Sequence, residues 1–417
     1  MKNNLTQNRW LVIVGAVLIQ LALGAIYAWS VFTPKLTEAG CSKEDTQWVF
    51  GVGLASFALS MVFAGKRLKK WGPQRLALLG GLTLGLGYLL AGLFGATDFT
   101  MLLIFIGLIG GAGIGFAYVV PIAVGMQWYP DKKGMVTGLA VAGFGFGAML
   151  WVKLAGAWGY LIDKLGLGGT FMTYGIAFAV MVIIGALWMK FPPKDWKPEG
   201  YKATKATQAT SGTTESKEYT STEMLKTYQF FILFLTFVFS AGAGLMSIGL
   251  MKLYPIQALT DAGMSTVKAT AVAGTAMAVF FSLANGLGRI IWGIISDKTG
   301  RKTAIIIMAA TQGILVILFP YMAGSAALLY LGATLIGFNF GGNFALFPTV
   351  TADTFGAKHV GQNYPFVFLA YGVGGILGPI LGGKMGDMGN FPLAFTISGA
   401  AVLLGAVLML FLKKGRA

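Results

Sequence analysis

Residues 274–302 read GTAMAVFFSLANGLGRIIWGIISDKTGRK. From Gly274 to Ser296 the only charge is Arg289, and four charges then follow between Asp297 and Lys302. An apolar run of about 20 residues is what a helix needs to cross the hydrocarbon of a bilayer. Arg289 sits inside that run, about two turns before Asp297. Such a charge costs on the order of 3 kcal/mol or more in hydrocarbon, so it normally faces a polar chamber. One reading makes it the docking point of an anion, because the planar guanidinium can give two parallel hydrogen bonds to a carboxylate. The other has it snorkelling to the membrane surface. Asn285 lies four residues earlier on the same helical face. It can orient the guanidinium, bond a ligand, or bond another helix.

Eleven further apolar stretches flank this one. The twelve cover 10–32, 46–65, 75–96, 101–126, 135–160, 168–190, 229–253, 267–294, 303–322, 325–350, 363–384 and 391–412. The first is long enough to span, without a signal-peptide cleavage site, and is read as an uncleaved helix. Of the 417 residues, 56% are hydrophobic and 11% are charged, against roughly 25% charged in ordinary soluble domains. Lipid cannot hydrogen-bond an open backbone, and a barrel would show short alternating strands, so the spans are helices. Residues 191–228, FPPKDWKPEGYKATKATQATSGTTESKEYTSTEMLKTY, are polar and Lys/Thr-rich. They read as a linker between an N-terminal six-helix half, 1–190, and a C-terminal half, 229–417.

Charge placement sets the orientation. With the N-terminus inside, all of the 31 Lys and Arg fall on the cytoplasmic side except Lys35, Lys43, Lys153, Lys164, Lys252, Lys268, Arg289 and Lys384. That is the positive-inside pattern, with both termini cytoplasmic. It accounts for the net charge of +16 without nucleic acid. Cys41 is the single cysteine and His359 the single histidine, so an internal disulfide and a Cys- or His-based metal site are excluded. His359 reads as a solvated loop residue. The fifteen Asp and Glu fall in loops or at span ends. A buried carboxylate proton carrier and a membrane enzyme with paired carboxylates are thereby disfavoured. GGAGIG (110–115) and GFGFG (143–147) lie within spans, lack a strand-turn-helix setting, and read as close helix packing rather than nucleotide loops.

The segment Gly293-x-x-x-Asp297-Lys298-x-Gly300-Arg301-Lys302 resembles the loop signature of the major facilitator superfamily. The loop after span two, Gly65-x-x-x-Lys69-Lys70-Trp71-Gly72, repeats it with Lys69 where the family has Asp. Finer likeness is to the oxalate/formate antiporter and monocarboxylate transporter branch. It is carried by Gln127-Trp-Tyr-Pro-Asp131-Lys-Lys-Gly134, by Glu223-Met-Leu-Lys-Thr-Tyr-Gln-Phe230, by Asn343-Phe-Ala-Leu-Phe-Pro348, by Asp353-Thr-Phe-Gly356 and by Asn285-x-x-x-Arg289.

This resemblance implies an all-α membrane protein, with twelve transmembrane helices in two six-helix halves and a site near the midplane. It implies a gating role for Asp297, Gly300, Arg301, Gly72 and Asp131. Tyr27 and Tyr118 match tyrosines that line the pathway in the family, and Phe144, Phe340 and Phe344 stand where the oxalate exchanger has Tyr or Trp. Bundle packing is the plainer reading of each aromatic. The exchanger's second cation, a lysine in span eleven, aligns with Tyr371. One buried cation balances one negative charge, and a dianion would leave about one charge unmatched in a low-dielectric site. The expected function is therefore secondary transport of small monocarboxylates (lactate, pyruvate or formate) by alternating access, as anion exchange or proton-coupled symport. The alternatives are oxalate/formate antiport or a permease for another small solute. No cofactor is expected. The expected setting is a cell inner membrane, with the bilayer, a small organic anion and possible protons as partners.

Overall fold

The computed structural model describes residues 8–41, 43–156, 158–193, 196, 218–250 and 253–413, and all regular structure among them is helical. Among the described residues, twelve long helices succeed one another. In the first half they are α1 (Arg9–Leu23, then a 3-10 stretch Gly24–Val31), α2 (Lys43–Trp71), α3 (Pro73–Phe94), α4 (Phe99–Trp128), α5 (Lys133–Ala155) and α6 (Leu161–Ala186). The second half holds α7 (Tyr228–Leu250), α8 (Thr266–Thr299), α9 (Arg301–Met322), α10 (Ala326–Phe355), α11 (Val360–Asp387) and α12 (Phe391–Leu410).

Eleven of these described helices are long and apolar enough to cross a membrane. The remaining one, α10, is 30 residues long. Buried Asn339 and Asn343 interrupt its apolar run. Both amides are bonded: Asn343 Oδ1 accepts from Ser240 Oγ at 2.8 Å, and Asn339 Oδ1 accepts from Trp292 Nε1 at 3.2 Å. Polar groups in hydrocarbon are satisfied between helices. Here they tie α10 to α7 and α8.

Several helices outrun their apolar stretches. α2 continues through Lys66, Arg67, Lys69 and Lys70 to Trp71, and α8 continues through Asp297. Hydropathy stops where hydrocarbon stops, whereas a helix stops where its backbone turns. The turns are Gly72 (φ 82°, ψ 153°) and Gly300 (φ 88°, ψ 150°). This is a left-handed-side conformation that glycine adopts without steric cost. The two copies of the repeated loop thus share one backbone geometry.

Packing repeats with a shift of six. The pairs α1/α5, α2/α4 and α3/α6 recur as α7/α11, α8/α10 and α9/α12. Across the bundle, α2 packs on α11 as α8 packs on α5. Glycines permit both crossings: a Cβ on Gly293 would collide with the Gly134 carbonyl, and one on Gly65 with the Gly361 carbonyl. These contacts lie at the end of the bundle that carries the linker, and they close it.

Of the polar connecting segment, residues 194, 195 and 197–217 lie outside the described residues. Its final part is docked on the second half. Tyr219 N donates to the Phe355 carbonyl at 2.9 Å, Asn363 Nδ2 donates to the Tyr219 carbonyl at 2.9 Å, and Thr220 with Glu223 forms a capping box.

Candidate functional site

Arg289 is completely buried, with no exposure at all. It does not snorkel. Its Nε donates to Asn285 Oδ1 at 3.0 Å and its NH1 to the Val141 carbonyl of α5 at 2.9 Å. The guanidinium carbon lies 4.1 Å from the ring centre of Phe344 and 5.5 Å from that of Phe144. Each hydrogen bond from a charged group is worth about 1.5–3 kcal/mol, and a desolvated cation–π contact about 2 kcal/mol. Together these offset a burial cost on the order of 3 kcal/mol or more. None of the ion pairs among the described residues includes Arg289. Its NH2 has no hydrogen-bond partner. The positive charge is therefore held, with one of its nitrogens unbonded.

The α5/α8 crossing makes this geometry possible. A Cβ on Gly138 would collide with the Arg289 carbonyl, and one on Gly145 would come within 3.0 Å of Asn285 Oδ1. The backbones touch, and Val141 O comes within reach of NH1. Glycine patterns that look like nucleotide loops thus serve helix contact.

Aromatic side chains surround the cation. Tyr118 of α4 is buried against Phe57 (5.0 Å), Phe144 (5.5 Å) and Phe368 (5.3 Å). Its hydroxyl lies within loose hydrogen-bonding reach of Tyr364 and Arg289 but makes no bond of good geometry with either. Tyr27 and Tyr371 join hydroxyl to hydroxyl across the two halves. Phe344 reaches both Arg289 and Tyr371, the latter at 5.5 Å. Phe340 stands one layer back, on Phe344 (5.3 Å) and Phe281 (6.1 Å). The structure therefore brings Arg289, Asn285, Tyr118, Tyr27, Tyr371, Phe344 and Phe144 together and sets Phe340 behind them.

Three residues of this cluster were not singled out in the sequence: Phe57, Phe368 and Tyr364. Tyr364, Phe368 and Tyr371 follow the i, i+4, i+7 spacing of one helical face, and that spacing was the available signal.

At the linker end, Asp297 accepts from Gly134 N at 3.0 Å and Met135 N at 2.8 Å, capping α5 with a carboxylate. Arg301 pairs with Asp297 at 2.6 Å and with Asp353 at 3.1 Å, and Lys133 pairs with Asp353 at 3.0 Å. At the quasi-equivalent place in the first half, Lys69 Nζ meets His359 Nδ1 at 3.0 Å, just before α11. Hence His359, read from sequence as solvated, is half-buried and joined to the other half. Asp131 Oδ1 is buried without a hydrogen-bond partner. Among the described residues, no group of His, Cys, Asp and Glu could hold a metal ion.

Comparison with known proteins places these features. The chain is 27% identical to the oxalate:formate antiporter of Oxalobacter formigenes, over 97% of this chain and 91% of that one. It is 24% identical to the apicoplast pyruvate carrier 1 of Toxoplasma gondii, over 87% of this chain and 81% of that one. Its fold matches the crystal structure of FucP from E. coli, a superfamily transporter in the outward conformation. The TM-score is 0.68 at 15% identity, covering 97% and 99% of the two chains. The family model of the Major Facilitator Superfamily matches residues 12–281 and 269–417. The chain belongs to the Major Facilitator Superfamily, membrane transporters of twelve helices.

Proposed function

We propose that this chain carries small organic monocarboxylates, of the lactate, pyruvate or formate class, by alternating access. The observation that supports it most is Arg289: a fully buried guanidinium, with no carboxylate among its partners and one nitrogen unpartnered. An anion with one charge neutralises it. A dianion would leave charge over, because Tyr371 is uncharged where the oxalate exchanger has lysine. The relatives named for oxalate, formate and pyruvate support a carboxylate. In this reading the carboxylate docks on Arg289 with help from Asn285 and Tyr118, Tyr371 stands in the wall with its partner Tyr27, and the aromatic walls exclude bulkier or more polar solutes.

The shift-of-six packing supports two moving halves, 1–190 and 229–417, hinged by 191–228 and latched by Asp297, Gly300 and Arg301. Occluding an empty site seals an unmatched cation in a low dielectric, whereas occluding a loaded one does not. That difference favours exchange of one anion for another. Proton-coupled uptake is the second mode, with the proton travelling on the acid itself. The positive-inside pattern supports a cell inner membrane with both termini cytoplasmic, which makes the latched end the cytoplasmic one.

The test is uptake into proteoliposomes of labelled formate, lactate, pyruvate and oxalate, each with internal anion and with a pH gradient. Trans-stimulated monocarboxylate uptake is expected, with oxalate a poor competitor. Uptake that no small carboxylate inhibits would refute the reading.

A further inference from the structure

The donors around Arg289 divide into those already used and those left open. Nε and NH1 are bonded, Asn285 Oδ1 is taken by Nε, and Tyr27 and Tyr371 share one O–H···O bond, in which each hydroxyl has the other as its partner. The donors left without a well-formed hydrogen bond are Arg289 NH2, Tyr118 OH and Tyr364 OH. Tyr364 has no solvent exposure and Tyr118 has 1%. The two hydroxyls lie within loose hydrogen-bonding reach of one another, Tyr118 likewise of the guanidinium, and both feel its charge, but none of these contacts has good geometry. Phe368 binds the group together, with ring centres 5.7 Å from Tyr364, 5.3 Å from Tyr118 and 5.0 Å from Tyr371.

Buried polar groups in folded proteins are almost always hydrogen-bonded, so each exception calls for an explanation. Three donors at one buried cation, none with a well-formed bond, share a single explanation, a ligand that presents acceptor oxygens there. A carboxylate offers two oxygens and about four lone-pair sites, which matches one N–H group and two hydroxyls. Tyr364 lies seven residues before Tyr371 on α11, on the same face and about 10 Å nearer the linker end.

We propose that Tyr364, with Tyr118 and Arg289 NH2, holds the substrate carboxylate on the linker-facing side of the guanidinium. The Tyr27–Tyr371 pair closes the opposite side and is not a ligand. This assignment rests on the reading of Arg289 as the counter-charge of an anion. Tyr118 belongs to the first half, and Arg289 and Tyr364 to the second. A carboxylate among them bridges the halves, so binding and closure become one event.

The experiment measures the apparent affinity for formate, from counterflow in proteoliposomes, of wild type, Tyr364→Phe, Tyr371→Phe and Arg289→Ala. Tyr364→Phe is expected to weaken formate binding about tenfold or more, the effect of losing one charge-assisted hydrogen bond. Tyr371→Phe is expected to stay within about threefold of wild type. The unliganded thermal stability of Tyr364→Phe should equal or exceed that of wild type, because an unmade hydroxyl is removed. Wild-type formate affinity in Tyr364→Phe overturns the assignment, and so does a tenfold loss in Tyr371→Phe alone. If Tyr364→Phe does not fold, 3-fluorotyrosine at position 364 keeps the hydroxyl. Its 19F resonance must then move on formate addition, and an unmoved resonance overturns the proposal. Formate transport by Arg289→Ala would refute the anion reading as a whole, whereas loss in Arg289→Ala with wild-type Tyr364→Phe refutes the Tyr364 assignment alone.

Discussion

Replacing Asp297 by Asn should shift the carrier toward the state open at its linker end. The carboxylate accepts two backbone N–H groups at the start of α5, at 3.0 and 2.8 Å, and pairs with Arg301 at 2.6 Å. An asparagine keeps one acceptor oxygen and turns an amide N–H₂ toward the second backbone donor. It thus loses one charge-assisted bond and the favourable charge at a helix N-terminus. The ion pair with Arg301 adds little to the difference, since Arg301 retains Asp353. One such bond is worth about 1.5–3 kcal/mol, which is roughly a 10- to 150-fold change in the open-to-closed ratio. Lys132 and Lys298 flank the latch and are exposed. Spin labels at Lys132→Cys and Lys298→Cys, in a chain with Cys41→Ser, would report the distance across the seam. Asp297→Asn should enlarge a long-distance population at the expense of the short one. An unchanged distance distribution would show that these bonds do not hold the seam, and the latch argument would fail.

Two further changes have definite expectations. Gly138→Leu would drive a side chain into the Arg289 carbonyl. Overpacking of this kind costs about 1–3 kcal/mol, and separating α5 from α8 withdraws the Val141 carbonyl from NH1. Transport should fall more than tenfold while membrane insertion, read by fractionation, persists. Tyr371→Lys places a second cation near Phe344 and Arg289, raising the charge of the empty site. Competition assays should then show oxalate gaining on formate by tenfold or more, and an unchanged preference would remove charge balance as the basis of selectivity.

The parts of this architecture legible in the sequence are those that hydropathy or local spacing encodes. Spans appear because hydrocarbon tolerates few charges, and Arg289 stands out for the same reason. Asn285 follows from the i, i+4 rule, and Asp297 from a loop that occurs twice. Helix ends were less legible: Lys66 to Lys70 look like a loop by composition yet continue α2 as far as Gly72. The inward faces were hidden for a different reason. Lipid and bundle core are both apolar, so the aromatic spacing of Tyr364, Phe368 and Tyr371 is the one mark of which side of α11 turns inward, and it does not stand out from the apolar residues around it. Tyr364, Phe368 and Phe57 were therefore missed. The Val141 carbonyl is a main-chain group, and no residue identity announces it. The Lys69–His359 contact joins residues 290 positions apart, and its value depends on the halves meeting there.

The most direct test of the central claim is transport by Arg289→Ala and Arg289→Lys in proteoliposomes, with formate and lactate as labelled substrates and the amount of folded carrier held equal. Removing the charge strips a buried carboxylate of its counter-ion, a loss of about 3–5 kcal/mol. Arg289→Ala should therefore run at least a hundredfold below wild type. Arg289→Lys keeps the charge without the planar fork and should recover part of that loss. Wild-type rates in Arg289→Ala would contradict the account.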